Sequence, residues 1–207
     1  GLVMGQYRLA KLYESGQGVP RDLAQSREWT TRAAEAGNVK AMHDLAVFYA
    51  NGEGGPLNYA GAVQWFRRAA DHGLVDSQYN LGVLYEEGMG VSANPGEALY
   101  WYGVAQKMGD NSAGAKVAEL SSELPAEEAN AILAEIAAYQ PEPMDGLANG
   151  RFPQQQAAPR PQQPSAQSAQ SAAPSAEQAM VIQAQNLLNQ MGYNAGGADG
   201  QFGSQTR

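Results

Sequence analysis

The sequence repeats itself at a fixed stride, and no other feature limits the fold so tightly. QYRLAKLYESGQGV from Gln6, MHDLAVFYANGEGG from Met42 and QYNLGVLYEEGMGV from Gln78 align without a gap. WTTRAAEAG from Trp29, WFRRAADHG from Trp65 and WYGVAQKMG from Trp101 follow in step. Tryptophans, tyrosines (Tyr13, Tyr49, Tyr85) and glycines (Gly16, Gly52, Gly88) all recur 36 residues apart.

Each unit reads as two helices. Leu9, Leu12 and Tyr13, with Leu45, Phe48, Tyr49 and Leu81, Leu84, Tyr85 in the later units, have the i, i+3, i+4 spacing of one apolar face. The glycine that follows stands where a helix end favours positive φ. A short G-x-G loop leads to Asp22, Asn58 or Asn94, each in the N-cap slot of a second helix. Gln25 and Glu97 stand where a capping box would close, and Pro95 suits the first helical position. The second helix is expected to bury its Trp and its Ala pairs (Ala33, Ala34; Ala69, Ala70) before stopping at Gly37, Gly73 or Gly109. One such hairpin cannot bury its faces alone, so the units must stack. The expected fold is all-α: an α-solenoid of helical hairpins.

The order of small residue, LA or LG, Tyr, G-x-G, Asp or Asn, Trp and Ala-Ala-x-x-G closely resembles the Sel1-like repeat, a relative of the tetratricopeptide repeat. The resemblance covers residues 1–111 as three units, with Gly55 and Gln106 departing from the pattern. Gly1 is the register equivalent of Gly37, so the chain is expected to begin within an earlier unit. A further repeat, a linker or a membrane span are the open readings of what precedes it.

After Gly109 the pattern decays. NSAGAKVAELSSEL and PAEEANAILAEIAAYQP, the latter with an Ile132, Leu133, Ile136 stripe, read as a capping hairpin over 112–140. From 141 to 175 the chain is Pro, Gln, Ala and Ser, with too little apolar surface to offset the entropy of ordering, and reads as a disordered linker. Order is expected to return at 176–207. SAEQAMVIQAQNLLNQMG forms an amphipathic helix, and YNAGGADGQFGSQTR a glycine-rich turn around Asp199.

That last stretch, with GY, DG, Phe202, Gly203 and Thr206, resembles the N-terminal part of the small three-helix peptidoglycan-binding module of bacterial cell-wall proteins. The resemblance implies a glycan site, to which Tyr193 and Asp199 are assigned, and a closing helix beyond Arg207. Together, acidic repeats, tether and module resemble the periplasmic region of the PodJ family of alphaproteobacterial localisation factors. That likeness implies the periplasm or cell envelope of a Gram-negative bacterium and a part in organising a cell pole. Two other readings stay open: the targeting region of a cell-wall hydrolase whose catalytic domain lies elsewhere, and a secreted repeat protein that engages host factors.

Composition and chemistry narrow the function. A net charge of −8 argues against a nucleic-acid-binding face. The absence of cysteine removes disulfides, thiol catalysis and thiolate metal sites. His43 and His72 sit at scaffold positions and make a poor zinc set. The glycine loops fall at repeat turns rather than after strands, so they are not phosphate loops. Asp199 lacks the alternating oxygen ligands of a calcium loop. The expectation is therefore a non-enzymatic binding protein without cofactor or metal.

What varies on the constant frame points to the partner surface. Tyr7, His43 and Tyr79, then Arg8, Asp44 and Asn80, then Lys11, Val47 and Val83 change from unit to unit on the first helices. Such positions either line a concave protein-binding face or are merely tolerant of substitution.

Overall fold

A computed structural model describes residues 2–151, and they form a stack of helical hairpins. The first unit is α1 (Leu2–Ser15) and α2 (Leu23–Glu35), the second α3 (Val39–Asn51) and α4 (Tyr59–Asp71), the third α5 (Val75–Glu87) and α6 (Pro95–Lys107). A 3-10 turn at Asn111–Ala113 leads into α7 (Gly114–Glu123) and α8 (Ala126–Ala138), both packed on α6. Within a unit the two helices pair, and the second helix of one unit packs on the first of the next. The Tyr193 and Asp199 assignments, with the module that carries them, lie outside the described residues.

The same three backbone devices recur in each unit. Gly52 and Gly88 close the first helices at φ 69° and 67°, the left-handed region that a side chain resists. The carbonyls of Tyr13, Tyr49 and Tyr85 then accept the backbone N–H of Asp22, Asn58 and Asn94 at 2.9, 2.8 and 2.9 Å, which ties the loop shut. The N-cap carboxylate or amide oxygens accept N–H groups of the following turn, at 2.9 Å from Gly61 and 3.1 Å from Glu97. At the far end, Gly37 N–H bonds to Ala34 O and Asn38 N–H to Ala33 O, both at 3.0 Å, the Schellman pairing. Gly73 with Leu74 and Gly109 with Asp110 repeat it.

The capping box expected at Glu97 does not close. Tyr85 O already takes the Asn94 N–H, and the Glu97 carboxylate instead accepts from Trp101 Nε1 at 3.2 Å and pairs with Arg67 Nη2 at 3.1 Å.

Most of the core lies between units, and a smaller cluster of Leu9, Ala10, Leu12 and Trp29 lies inside the first hairpin. Ala46, Phe66, Ala70, Leu81, Leu84 and Trp101, drawn from four helices, form one cluster, and Ala33, Ala34, Met42, Leu45 and Ala69 another. Fully buried alanines let second helices approach the next first helix closely, and Trp fills the wider gap. The tryptophans are not equivalent, however. Trp29 and Trp101 are 4% and 2% exposed. Trp65 is only half-buried, its ring carrying the Arg68 guanidinium at 4.5 Å while neighbouring Phe66 takes the inner place. The second glycine of the loop also serves stacking. A Cβ at Gly90 would lie 2.3 Å from the Tyr59 backbone, and one at Gly54 would lie 2.2 Å from Leu23 O, in each case in the unit before.

Two further expectations need correction. In α8 the inward stripe is Ala129, Ile132 and Ile136; Leu133 points out, 39% exposed. The linker expected from 141 does not begin there. Residues 139–151 lie back on the repeats, with Glu142 N–H on Asp71 O at 2.7 Å and Ala148 buried. Low apolar content did not prevent this, because backbone and amide hydrogen bonds hold the segment beside a few apolar contacts, those of Pro141, Met144 and Ala148.

Trp101→Ala is expected to cost about 3–5 kcal/mol in urea unfolding, and Trp65→Ala no more than about 2 kcal/mol. Gly90→Ala should cost more than about 1 kcal/mol, because its left-handed φ and the approach to Tyr59 both resist a Cβ. Circular dichroism across a urea series checks all three.

Candidate functional site

The variable positions on the first helices divide into two adjoining grooves. The polar groove is lined by Lys11, Glu14, His43, Asp44, Val47, Phe48 and Glu53, with a volume of about 240 Å³. The apolar groove, also about 240 Å³, has Val47, Ala50, Tyr59, Phe66, Val83, Leu84 and Met89 as walls, with Asn51 and Asn80 as its polar members. Val47 belongs to both and joins them.

In the polar groove the first and second units are bridged by side chains. Tyr7 donates its hydroxyl to Asp44 Oδ2 at 3.0 Å, and Lys11 Nζ lies 3.3 Å from the same oxygen and 2.5 Å from Glu14 Oε2. Burial, then the Asp44 carboxylate, push the Tyr7 hydroxyl well above the ordinary phenol range, so it stays a donor. Burial pulls Lys11 down, but Glu14 and Asp44 more than reverse this, and the ammonium is held charged. Three carboxylates, from Glu14, Asp44 and Glu53, face the one Lys11 ammonium, so the groove suits a cationic group.

His43 faces the next unit. Its Nδ1 lies 2.8 Å from Ser77 Oγ, and its ring meets the Phe66 edge at 5.3 Å. Burial lowers its pKa; Asp44 and Asp76 oppose the shift and Lys11 adds to it.

The structure thus brings together six of the nine sequence-predicted positions, with Tyr7 attached through Asp44. Arg8 and Tyr79 line neither groove. Tyr79 turns inward within its own unit, the third, its ring edge-on to Tyr102 of α6 at 5.1 Å. Glu14, Glu53, Tyr59, Phe66 and Met89 were missed. For Glu53 and Met89 a signal existed: they are the middle residue of G-x-G, which reads Gln17, Glu53, Met89 and varies on the constant frame just as the helix positions do. Phe66 left no such signal: it follows Trp65 on a second helix, in a row (Thr30, Phe66, Tyr102) that is buried in all three units.

A wider cleft, about 460 Å³, lies where α4 and α6 meet α8 and is lined by Arg67, Asp71, Glu97, Tyr100, Trp101, Glu128 and Glu135 among others. Its one cation is engaged: Arg67 Nη2 donates to Tyr85 Oη at 2.6 Å, and its guanidinium lies 5.1 Å from the Trp101 ring centre. Among the described residues no group of three or more His, Asp or Glu is arranged to hold a metal ion, and no helix is long and apolar enough to cross a membrane.

Comparison with known proteins gives a consistent picture. The family model described as "Sel1 repeat" matches residues 3–38, 39–74 and 75–110. A second model, described as "Putative peptidoglycan binding domain", matches residues 177–207. No curated protein matches the chain. Among solved structures, a Sel1 repeat protein from Oxalobacter formigenes is similar at 30% identity and a TM-score of 0.56, over 67% of this chain and 59% of that one. A protective antigen of uropathogenic Escherichia coli strains with an SLR fold aligns at 23% identity and a TM-score of 0.42, over 82% of this chain and 43% of that one. The chain therefore spans less than two thirds of the length of either.

Because His43 has a lower pKa folded than unfolded, the unfolded chain binds the proton first. Stability is then lost as pH falls below the unfolded value of about 6.5 and on through the folded one. The advantage of the native chain over His43→Gln is expected to shrink between about pH 7 and pH 5. Paired urea titrations across that range measure it.

Proposed function

The chain belongs to the Sel1 repeat family, and from that premise we propose a non-enzymatic scaffold whose two joined grooves seat a protein segment while its C-terminal module holds the cell wall. The observation that carries the reading is the placement of the grooves. They combine positions that differ between units (Lys11, His43, Asp44, Val47, Asn80, Val83, Glu53, Met89) with the edges of core residues such as Phe48, Phe66 and Leu84. A solenoid specifies a partner in this way. The chemistry favours an extended or helical segment with a Lys or Arg at one end and apolar anchors following it. The cation would meet Glu14, Asp44 and Glu53, and the anchors would enter between Val47, Phe66 and Val83.

The match of residues 177–207 supports peptidoglycan as the second partner and hence a place in the cell envelope. Tyr193 and Asp199 remain the residues we assign to that contact. Tethering then works by concentration: a platform held at the wall meets envelope partners at a raised effective concentration. The combination of repeats, tether and wall module suits a localisation factor of the PodJ kind, which would gather proteins at a pole for division. The hydrolase-targeting alternative shares every one of these parts. It differs in requiring a catalytic domain elsewhere in the full protein.

The full protein is expected to co-sediment with purified sacculi, and deletion of residues 177–207 to abolish co-sedimentation; equal sedimentation of both forms removes the wall anchor from the scheme. For the grooves, a photocrosslinking residue at Val47 or Asn80 should trap a discrete partner in the envelope, whereas one at the exposed Gln64 of α4 should not. Trapping at Gln64 and not at Val47 would move the partner to the other face.

A further inference from the structure

The segment after the cap does not leave the solenoid where the cap ends. Lys107 Nζ first gathers the carbonyls of Ile136, Ala137 and Tyr139 at 3.1, 2.7 and 2.9 Å, which closes α8 with a cation. The chain then crosses the junction between the third and second units. Tyr139 Oη donates to Ala70 O at 2.7 Å, and the fully buried Gln78 reaches it through Nε2 at 3.2 Å. Pro141 lies over Gly73, where a Cβ would come within 2.9 Å of the proline ring. Asp145 Oδ1 accepts from Leu147 N–H and Ala148 N–H at 2.8 and 3.1 Å and turns the chain.

The next junction, between the second and first units, is met in the same way. Asn149 Nδ2 donates to Gly37 O at 3.0 Å, and Asn149 Oδ1 accepts the Val39 N–H at 2.8 Å. Val39 is the first residue of α3, so this N–H has no carbonyl of its own helix to bond. In return Asn38 Nδ2 donates to Ala148 O at 2.7 Å, while its Oδ1 still caps Ala41 N–H. Gly150 ends against Met4 of α1, where a Cβ would lie 3.4 Å from the thioether methyl.

Asn38 is the informative residue. The equivalent positions hold Leu74 and Asp110, and neither can donate from its side chain. The junction does not need Asn for its turn, since the Schellman pairing forms with all three residues. What the Asn adds is a donor aimed at the returning chain.

We propose that Tyr139–Arg151 is an intramolecular strap, recognised by Asn38 and Gln78, that carries the departure point of the C-terminal tether from the cap back to the first unit. A pull on the chain beyond Arg151 then enters the body beside α1 and α3, and the cap hairpin is bypassed while the strap bonds hold. The proposal does not depend on what residues 177–207 bind.

Hydrogen exchange on the full chain tests it. In the native protein the amides of Glu142 and Val39 are expected to be protected. Asn38→Asp keeps the cap on Ala41 and removes the Nδ2 donor that serves Ala148 O and, at 3.3 Å, Met4 Sδ; Asn149→Ala removes the partner of Val39. Each should speed exchange at Val39 and across 144–151 by about tenfold, the effect of losing one or two net hydrogen bonds, while Phe66 in α4 is unmoved. The chain has no cysteine, so dyes on Leu2→Cys and Arg151→Cys form a unique pair, and transfer between them should be high and fall in both variants. Unprotected exchange over 142–151 in the native chain, or a Val39 amide indifferent to both substitutions, overturns the strap.

Discussion

The structure depends on burial shared between successive hairpins. Most of the core is shared: the cluster around Phe66 and Trp101 takes residues from α3, α4, α5 and α6, and that around Leu45 from α2, α3 and α4, whereas only Leu9, Ala10, Leu12 and Trp29 form a cluster inside one hairpin, the first. The hydrophobic term is thus collected mainly at interfaces between neighbours, which makes stability a sum of unit and interface contributions. It also explains the polar outer side of the cap. α8 offers only Ala129, Ile132 and Ile136 as apolar contacts to α6, leaves Leu133 exposed, and sets Glu128 and Glu135 along the open cleft beside it.

Because neighbours must meet at a constant stride, the backbone at each turn is held by the same bonds three times over. The Tyr carbonyl on the N-cap N–H, the left-handed glycine and the Schellman pairing fix the frame without reference to the solvent-facing side chains. That leaves the remaining positions free to differ. Where they do differ on the first helices and in the G-x-G loops, they produce a polar groove beside an apolar one, and a partner-binding reading follows from that juxtaposition. The same freedom appears at the junction row, where one Asn in place of Leu or Asp gives the returning chain a docking point.

Electrostatics tune this surface more than they stabilise it. The ion pairs of Lys11 and Arg67 are partly exposed and contribute modestly. Their use is orientation. Lys11 and Tyr7 hold Asp44 in place at the groove edge, and Arg67, bonded to Tyr85 and Glu97 and lying over Trp101, ties α4 to the third unit.

The sequence alone determined the helix pairs, their register, their caps and the need to stack, since each rests on local periodicity or on a turn residue with one conformational role. The same register argument named nine variable positions, six of which the structure sets along the two grooves. Only the tertiary structure decided which aromatic of a unit goes inward, because Trp65 and Phe66 are adjacent on one helix and the choice depends on the neighbour each meets. It alone showed that Glu97 serves Arg67 and Trp101 rather than a capping box, since the competing acceptor, Tyr85 O, lies in another helix. It alone placed residues 139–151 on the repeats. Composition reports how much oily surface a segment can bury, whereas this segment is held by hydrogen bonds to residues such as Asn38, more than a hundred positions away in the chain.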